Sequence, residues 1–318
     1  MLAWLLERPG AIEHLRLREH PDPELADHGL LVRVQGAAVN PADLTVIAGG
    51  FGARFVRARK YPLVPGFDFC GGVEGVGAHV EGWREGDEVF GFLPYRPSTT
   101  RGTFAQRVAV APHEVASKPA TLAPSAAAGA ATVGVTALQA IRLAGGSRAG
   151  DRWLVHGASG GLGSFLVSMG RLAGVEVWGT CSESSLSYVR RLGAERAFDY
   201  RKTKLSDLGP RFNAIFDVAS RSSYHACERR LKTGGTYLTT QPSLRLLTGI
   251  LRSTMSPRAC RLVSVRPDAD DLATLARMID DRRLKVPIDS SWSMNDVPGA
   301  LRRLSQGGVR GKVAIAIG

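Results

Sequence analysis

The chain has 318 residues, of which 44% are hydrophobic and 22% are charged, and its formal net charge is +12 at pH 7. This composition is ordinary for a globular enzyme with room for two domains, and it excludes a disordered chain. The arginines are scattered over predicted helix faces and are not gathered in one patch with aromatic residues between them. We therefore expect a basic surface that attracts a polyanionic cofactor, and the pattern disfavours a nucleic-acid partner.

The cysteines and the apolar runs bear on location. Cys70, Cys181, Cys227 and Cys260 stand far apart without a Cys-x-x-Cys pair. This spacing disfavours a zinc ribbon and a disulfide framework, and it favours a reducing cytoplasm. The N-terminus does not combine basic residues with a long apolar core, and no apolar run reaches about 18 residues. We expect a cytoplasmic protein without a signal peptide, a spanning helix or a membrane partner.

Short strands and turns rich in glycine or proline fill the chain from Met1 to about Thr121. Strands are predicted at residues 29–36, 71–77, 88–91 and 102–110. Because few 3.6-residue periodicities occur here, this part is predicted to be a mainly antiparallel β domain. The composition changes to small helix-forming residues at Ala123, and residues 135–143 continue as a helix.

Residues 153–163 (Trp-Leu-Val-His-Gly-Ala-Ser-Gly-Gly-Leu-Gly) join a buried strand, a glycine turn and a helix start. Gly160 lets backbone amides approach a pyrophosphate, the helix N-terminus adds partial positive charge, and Gly163 permits close packing of helix on strand. Ala158 stands where the Gly-x-Gly-x-x-Gly pattern has its first glycine. The pattern predicts a dinucleotide site, and a bare turn before a buried helix is the alternative.

The next strand, predicted at residues 175–180, completes a β–α–β unit. An NAD site places an acid about 20 residues after the glycine turn, against the ribose 2′-hydroxyl. Ser182 stands at that position, and its hydroxyl tolerates a 2′-phosphate, so NADPH is favoured over NADH. Glu183 follows directly and is the alternative, as a displaced acid. Alternating strands and helices then continue, and six strands predict an α/β fold with a doubly wound parallel sheet.

Taken in order, these pieces resemble the medium-chain dehydrogenase/reductase superfamily, in its zinc-free quinone oxidoreductase-like branch (zeta-crystallin-like and reticulon-4-interacting-protein-1-like reductases). The matching segments are residues 39–43, 65–68, 71–77, 86–91, 102–106, 158–163, 192–194, 199–200 and 310–313. The resemblance implies a GroES-like β domain, residues 1–121 and 285–318, that binds substrate. It also implies an inserted Rossmann domain, residues 122–284, that binds NADP, with a cleft between the two.

The resemblance also implies a set of cofactor contacts. They are Asn40, Thr132, Thr136, Ser159, Gly160, Gly161, Leu162, Thr180, Cys181, Ser182, Tyr200, Ala219, Thr240, Gln241, Arg310, Gly311 and Lys312. Ser182 and Tyr200 would lie at the 2′-phosphate, and residues 310–312 would close over the cofactor. Arg201 and Lys202 adjoin Tyr200, and we expect them to add positive charge there.

The sequence departs from the zinc-dependent members of the family. Those members carry an early cysteine, a Gly-His-Glu-like motif and a four-cysteine loop. The matching positions here hold residues 40–43 (Asn-Pro-Ala-Asp) and 66–68 (Gly-Phe-Asp), and residues 92–101 contain no cysteine. No metal site is therefore expected, which favours reduction of a quinone or a conjugated alkene. The cofactor would supply hydride while the protein stabilises the charge that develops on oxygen.

The candidate catalytic residues are Asn40, Asp43 and Tyr61. A structural role in the Asn-Pro turn is the favoured reading of Asp43, and a packed strand position is the favoured reading of Tyr61. Phe51 stands near the place where many relatives have a tyrosine, and it cannot donate a proton. His156 is interpreted as a satisfied core histidine. Because none of these side chains is favoured as a proton donor, we expect water to supply the proton that completes the reduction.

The sequence thus predicts a zinc-independent, NADPH-dependent reductase of a quinone or an α,β-unsaturated carbonyl, with a small electrophilic substrate as its partner. An enoyl-thioester reductase of a biosynthetic pathway is the enzymatic alternative, since basic residues at 54, 57, 59 and 60 suit a phosphopantetheine arm. A low-turnover NADPH-binding regulator that binds RNA is the alternative from another class. Residues 242–257 form either a lid or an amphipathic helix on their own domain, and a homodimer is possible.

Overall fold

The computed structural model describes residues 1–50, 52–57 and 60–318. Two compact units are present. The first unit is Met1–Val135 with Val265–Gly318, and the second unit is Thr136–Ser264. The boundaries of the functional domains, after residue 121 and before residue 285, stay a prediction.

The elements are named in chain order. The strands are β1 (Leu2–Leu6), β2 (Leu15–Glu19), β3 (Leu30–Ala38), β4 (Asp68–Val76), β5 (Glu88–Phe92), β6 (Arg107–Val110), β7 (Val115–Ser117), β8 (Arg152–His156), β9 (Glu176–Cys181), β10 (Arg196–Asp199), β11 (Phe212–Asp217), β12 (Leu231–Thr239), β13 (Ala259–Leu262), β14 (Ile288–Ser293) and β15 (Lys312–Ala316). The helices are α1 (Pro41–Ala48), α2 (Ala53–Val56), α3 (Pro124–Leu143), α4 (Gly161–Leu172), α5 (Leu186–Leu192), α6 (Tyr224–Cys227), α7 (Leu244–Ser253), α8 (Ala269–Asp280) and α9 (Val297–Ser305).

The first unit is built on a sheet with the strand order β14-β15-β3-β4-β5-β7, in which β6 also pairs with β3. Its pairings are antiparallel except for β14 with β15, which confirms a mainly antiparallel β domain. Alternate residues of β3, such as Val32 and Val34, point into a core that includes Phe69 and Ile315. The strand predicted at residues 102–110 is shorter than expected, because residues 104 and 105 bond to β1 instead.

The second unit holds a parallel sheet with the strand order β10-β9-β8-β11-β12-β13. Numbered within the unit, this order is 3-2-1-4-5-6, the doubly wound arrangement, so the predicted fold class is confirmed. The strands are almost wholly buried, and Trp153 packs edge-on against Phe216 at 5.2 Å between ring centres. Strand order reverses between β8 and β11, and ligands bind beyond the carboxyl ends of strands at such a point.

α3 begins at Pro124, within one residue of the point where the helix-forming composition starts. Two other helices differ from expectation. The helix expected at residues 222–231 shrinks to α6, because β12 pairs with β11 from Leu231 onward. α7 forms inside the segment that the sequence left open, with the Ser243 hydroxyl accepting from the Leu246 amide at its start. α7 packs on β13 and α6 through Leu246 and Gly249.

α3 has the length and composition of a helix that could cross a membrane. However, 67% of its most apolar window is buried inside the protein, as in the core helix of a folded domain. The four cysteines are also buried, and none of them forms a disulfide bond.

Candidate functional site

The glycine turn of the second unit lies at the carboxyl end of β8. Gly157 has φ +80°, a conformation that favours glycine. A Cβ on Gly163 would lie 2.1 Å from the Gly157 carbonyl oxygen, so only glycine allows α4 to pack this closely. A Cβ on Gly160 would approach nothing nearer than 3.6 Å, which leaves the backbone there open to a ligand.

α4 begins directly after this turn, with Gly160 as its N-cap residue. Amides in the first turn of a helix have no acceptor within the helix, and they favour an anion. The predicted pyrophosphate contacts Ser159, Gly160, Gly161 and Leu162 are all half-buried around these amides. The residues present therefore fit a dinucleotide pyrophosphate.

Thr180 and Cys181 end β9 next to the turn, and both are buried. The Thr180 carbonyl accepts from the amides of Gly157 and Ala158, each at 3.0 Å, and so fixes the turn. The Thr180 hydroxyl lies 2.9 Å from Nδ1 of His156. Nε2 of His156 has no hydrogen-bond partner within the described residues, so this histidine is only half satisfied. Burial lowers the pKa of His156, against the nearby charge of Asp217.

Ser182 and Tyr200 follow two strand positions that pair with each other. Cys181 pairs with Asp199, and the Tyr200 amide donates to the Cys181 carbonyl at 3.2 Å. The two residues predicted at the 2′-phosphate, Ser182 and Tyr200, therefore lie side by side beyond the carboxyl ends of β9 and β10. Lys202 donates to Glu183 at 2.7 Å, so the acid that follows Ser182 is ion-paired.

A cavity of about 410 Å³ opens beyond the carboxyl ends of β11 and β12. Its lining includes Asp217, Tyr237 and Gln241. Of the other residues predicted along the cofactor, Ala219 is exposed, Thr240 is half-buried and Thr136 is buried.

The first unit contains a buried polar cluster, which we define as Asn40, Asp43, Asp68, Thr132 and Lys312. Lys312 Nζ donates to Oδ1 of Asn40 at 2.5 Å, to Oδ2 of Asp68 at 3.0 Å and to the Val39 carbonyl at 3.1 Å. Asp68 also accepts from Nδ2 of Asn40 at 2.9 Å, and from the amide and hydroxyl of Thr132. The cluster thus uses both side-chain amide atoms of Asn40.

Asp43 lies in the first turn of α1, and both of its carboxylate oxygens accept hydrogen bonds from backbone amides. Oδ2 accepts from the Asn40 amide at 2.7 Å, and Oδ1 accepts from the Gly66 amide at 3.2 Å. Burial raises the pKa of Asp43 to about 7, opposed by the Asn40 amide. These contacts favour the structural reading of Asp43, and a catalytic role stays a prediction.

The remaining predicted residues of the first unit make contacts that stabilise the fold. Tyr61 is half-buried against the hydrophobic core, as expected of a packed residue. Gly311 has φ +94°, and a Cβ at this position would lie 2.3 Å from the Pro287 carbonyl oxygen, so the backbone here requires glycine. The amide of the preceding residue, Arg310, donates to the Asp289 carboxylate.

The basic residues that were expected to suit a phosphopantetheine arm have different surroundings at positions 54, 57 and 60. Arg57 is buried and donates to the carbonyls of Val64, Gly66, Thr100 and Arg101, so it stabilises the backbone. Arg54 and Lys60 are exposed. Phe51 and Arg59, which the sequence analysis also named, lie outside the described residues.

Two residues of interest were missed from the sequence. Tyr95 packs on Phe67 at 4.4 Å between ring centres, and burial together with Asp68 and Asp43 raises its pKa well above the usual range, partly offset by a hydrogen bond with Thr132. Arg221 lies over the ring of Tyr200. Neither residue belongs to a motif. The available signal was that each follows shortly after an apolar strand, Tyr95 after the strand that ends at Phe92 and Arg221 after the strand that ends at Asp217.

Comparison with known proteins agrees with this geometry. Residues 26–120 match the alcohol dehydrogenase GroES-like domain, and residues 192–315 match the zinc-binding dehydrogenase domain. The chain is 30% identical to 2-methylene-furan-3-one reductase of Solanum lycopersicum, over 99% of this chain and 79% of that protein. The chain belongs to the medium-chain dehydrogenase/reductase superfamily, in its quinone oxidoreductase-like branch, and it is an oxidoreductase.

Two further relatives cover almost the whole chain. The human mitochondrial NAD(P)H oxidoreductase RTN4IP1 is 28% identical, over 100% of this chain and 89% of that protein. The structure of the quinone oxidoreductase from Coxiella burnetii superposes with a TM-score of 0.92 at 25% identity, over 100% of this chain and 99% of that one. The relatives and the folds together support a nicotinamide cofactor.

The family name raises the question of zinc. Within the part of the chain that the structure describes, no three His, Cys, Asp or Glu side chains are grouped to hold a metal ion. At the positions that match the ligand motifs of zinc-dependent members, the ammonium of Lys312 contacts Asn40 and Asp68 instead. The donor set does not fit a zinc ion, which prefers cysteine, histidine and carboxylate ligands.

Proposed function

We propose that the chain is a zinc-independent, NADPH-dependent reductase that transfers a hydride to a quinone or an α,β-unsaturated carbonyl compound. The observation that carries the cofactor choice is the surroundings of Ser182. Its backbone leaves β9 beside that of Tyr200, and its hydroxyl contacts the hydroxyls of Ser184 and Ser185. The neighbouring carboxylate of Glu183 is ion-paired with Lys202. A hydroxyl with nearby cations suits a 2′-phosphate, whereas an NAD site uses an acid against the ribose.

The buried polar cluster supports a reaction without zinc. The ammonium of Lys312 supplies the positive charge that compensates Asp68, and each of its three protons has an acceptor. Asn40 and Thr132, which the family resemblance assigns to the nicotinamide, are held in one orientation by Asp68 and Lys312. We assign the cluster a positioning role.

Each part of the chain then has a defined task. NADPH, when bound, supplies the hydride. The glycine turn and the first turn of α4 bind its pyrophosphate, and Ser182 with Tyr200 and Arg201 binds the 2′-phosphate. The names of the relatives, a furanone reductase and several quinone oxidoreductases, support a conjugated carbonyl or a quinone as the substrate.

We also propose a cytoplasmic location and a small-molecule substrate as the partner. Four buried cysteines without a disulfide bond support a reducing compartment, although relatives include mitochondrial and chloroplast proteins. Fractionation of the source cells tests the location, and recovery in an organelle would contradict it.

Calorimetry with NADPH and NADH tests the cofactor assignment. We expect tighter binding of NADPH in the wild type. Ser182→Asp should selectively weaken NADPH, by about 1.5–3 kcal/mol for each charge-assisted bond lost, because the new carboxylate repels the phosphate. Ser187→Asp, at an exposed position on α5, makes the same charge change and should leave both affinities nearly unchanged. Equal affinities for the two nucleotides in the wild type would refute the NADPH assignment.

The same protein is then given NADPH and a substrate panel after treatment with a metal chelator. A benzoquinone, a cyclic enone and an enoyl thioester separate the proposed activities, and salt-dependent RNA binding is measured in parallel. We expect turnover of the quinone or the enone that survives the chelator. Turnover of the thioester alone would favour the biosynthetic enoyl reductase, and RNA binding without turnover would favour a regulator.

A further inference from the structure

The loop after β11 is fixed from inside the second unit. The buried carboxylate of Asp217 accepts from the amides of Arg221 at 3.0 Å and Ser222 at 2.8 Å, and from the Tyr237 hydroxyl at 2.9 Å. Ser220 has φ +52°, a left-handed conformation that is unfavourable for serine and persists only when its surroundings enforce it. The backbone position of Arg221 is therefore set by the core.

This loop carries a cation across the end of the sheet. β8 and β9 separate β11 from β10 in the strand order, yet the guanidinium of Arg221 lies 4.2 Å from the centre of the Tyr200 ring. Arg201 approaches the same ring at 5.2 Å. Neither guanidinium has a carboxylate partner among the residues that the structure describes. Two guanidinium groups thus meet at the half-buried ring of Tyr200, and neither forms an ion pair with a described carboxylate there.

We propose that Arg221 is a specificity-determining residue whose guanidinium, with that of Arg201, binds the 2′-phosphate of NADPH beside Tyr200. This inference rests on the proposed function. It adds to the 2′-phosphate site a residue from the loop after β11, which two strands separate from β10. A guanidinium stacked on an aromatic ring keeps its N–H groups at the edge, where they bond to a phosphate in pairs. Stacking on Tyr200 also fixes the side chain before the nucleotide arrives.

The test compares Arg221→Gln with Arg211→Gln. Arg211 is exposed and lies directly before β11, whereas Arg221 follows the same strand at its other end, so both variants lose one positive charge. The readouts are the dissociation constants of NADPH and NADH and the inhibition constant of 2′,5′-ADP. We expect Arg221→Gln to weaken NADPH and 2′,5′-ADP about tenfold to a hundredfold, as for one or two charge-assisted bonds. NADH and the Arg211→Gln variant should change less than about threefold.

The outcomes separate this inference from the function on which it rests. If the wild type does not prefer NADPH, the cofactor assignment fails and Arg221 has no 2′-phosphate to recognise. If the wild type prefers NADPH but Arg221→Gln keeps that preference, only the inference is wrong. An equal loss of NADPH and NADH would assign Arg221 to a part of the cofactor that both nucleotides share, and it would also overturn the proposal.

Discussion

Lys312 is a buried ammonium with every proton in use. Its partners are the side chains of Asn40 and Asp68 and the Val39 carbonyl. A buried ion pair adds little to stability as a pair, but removing one member leaves an uncompensated charge. Removing one charged member of the buried polar cluster should therefore cost more stability than the net contribution of the ion pair.

Lys312→Met should lower the free energy of unfolding by about 3–5 kcal/mol, because Asp68 would stay buried without its counter-charge. The double variant Lys312→Met with Asp68→Asn should recover part of that loss. Urea unfolding followed by tryptophan fluorescence measures both. Lys285→Met, at an exposed position of the same unit, is the control and should change stability by less than about 0.5 kcal/mol. An effect at Lys312 no larger than at Lys285 would contradict the role of the ion pair.

The sequence named Lys312 and showed Asp68 within a motif, but it could not show that they touch. The two residues are 244 positions apart, and their contact depends on the pairing of β15 with β3 and of β3 with β4. The same is true of Arg221 and Tyr200, which meet only because of the strand order. Long-range sheet pairing is invisible to a local pattern, so Lys312, Asp68 and Tyr200 could be named from the sequence, whereas their contacts and the role of Arg221 could not.

At the scale of elements, the β8–turn–α4 unit combines one glycine that packing requires with another that faces open space. Gly163 lies against the Gly157 carbonyl oxygen, whereas Gly160 has room for a methyl group and an ordinary φ of −74°. A substitution at Gly163 therefore tests the packing of the turn, whereas a substitution at Gly160 tests its use as a binding surface.

Gly160→Ala should change the free energy of unfolding by less than about 1 kcal/mol. It should weaken NADPH and NADH together, because the methyl group would stand where the pyrophosphate approaches the backbone. Gly163→Ala should weaken binding and also lower stability by about 1–3 kcal/mol, since the turn must move to admit the methyl group. Thermal denaturation and calorimetry on both variants give the comparison. Normal nucleotide binding by Gly160→Ala would show that the pyrophosphate does not lie here.

The elements that the sequence predicted well are the parallel strands of the second unit. Short apolar runs between turns define β8 and β9 to within one or two residues. α1 was read only as part of a motif, although Asn40, Pro41 and Asp43 form a helix start, with the Asp43 carboxylate on the Asn40 amide. α7 stayed ambiguous because one broad apolar face suits both a lid and a packed helix, and in the structure Leu246 packs while Leu247 and Leu251 are exposed.

At the scale of the whole molecule, one surface combines two features that proteins usually cover. The apolar stripe, defined as Leu244, Leu247 and Leu251 on α7 and Met255 shortly after it, is 64–93% exposed. α7 packs on β13, the last strand in the order of the described sheet. Open strand edges and contiguous apolar patches promote association. We propose that a second copy of the chain covers this surface.

Light scattering on a sizing column tests the dimer. The wild type should elute with twice the 34.0 kDa mass of the chain. Leu247→Glu should give the single-chain mass, because the interface would bury a charge without a partner. Ser187→Glu on α5 is the matched control and should leave the dimer intact. A wild type with the mass of one chain at micromolar concentration would refute this proposal.

The four buried thiols have a consequence for an enzyme of this substrate class. Quinones and enones are soft electrophiles that alkylate cysteine, and the reacting species is the thiolate. Burial raises the pKa of Cys70 and Cys227 to about 12 and that of Cys260 to about 11, and Cys181 is buried as well. Thiolate is therefore scarce at neutral pH and shielded from solution. We therefore expect the protein to resist inactivation by the quinones and enones that we propose as its substrates.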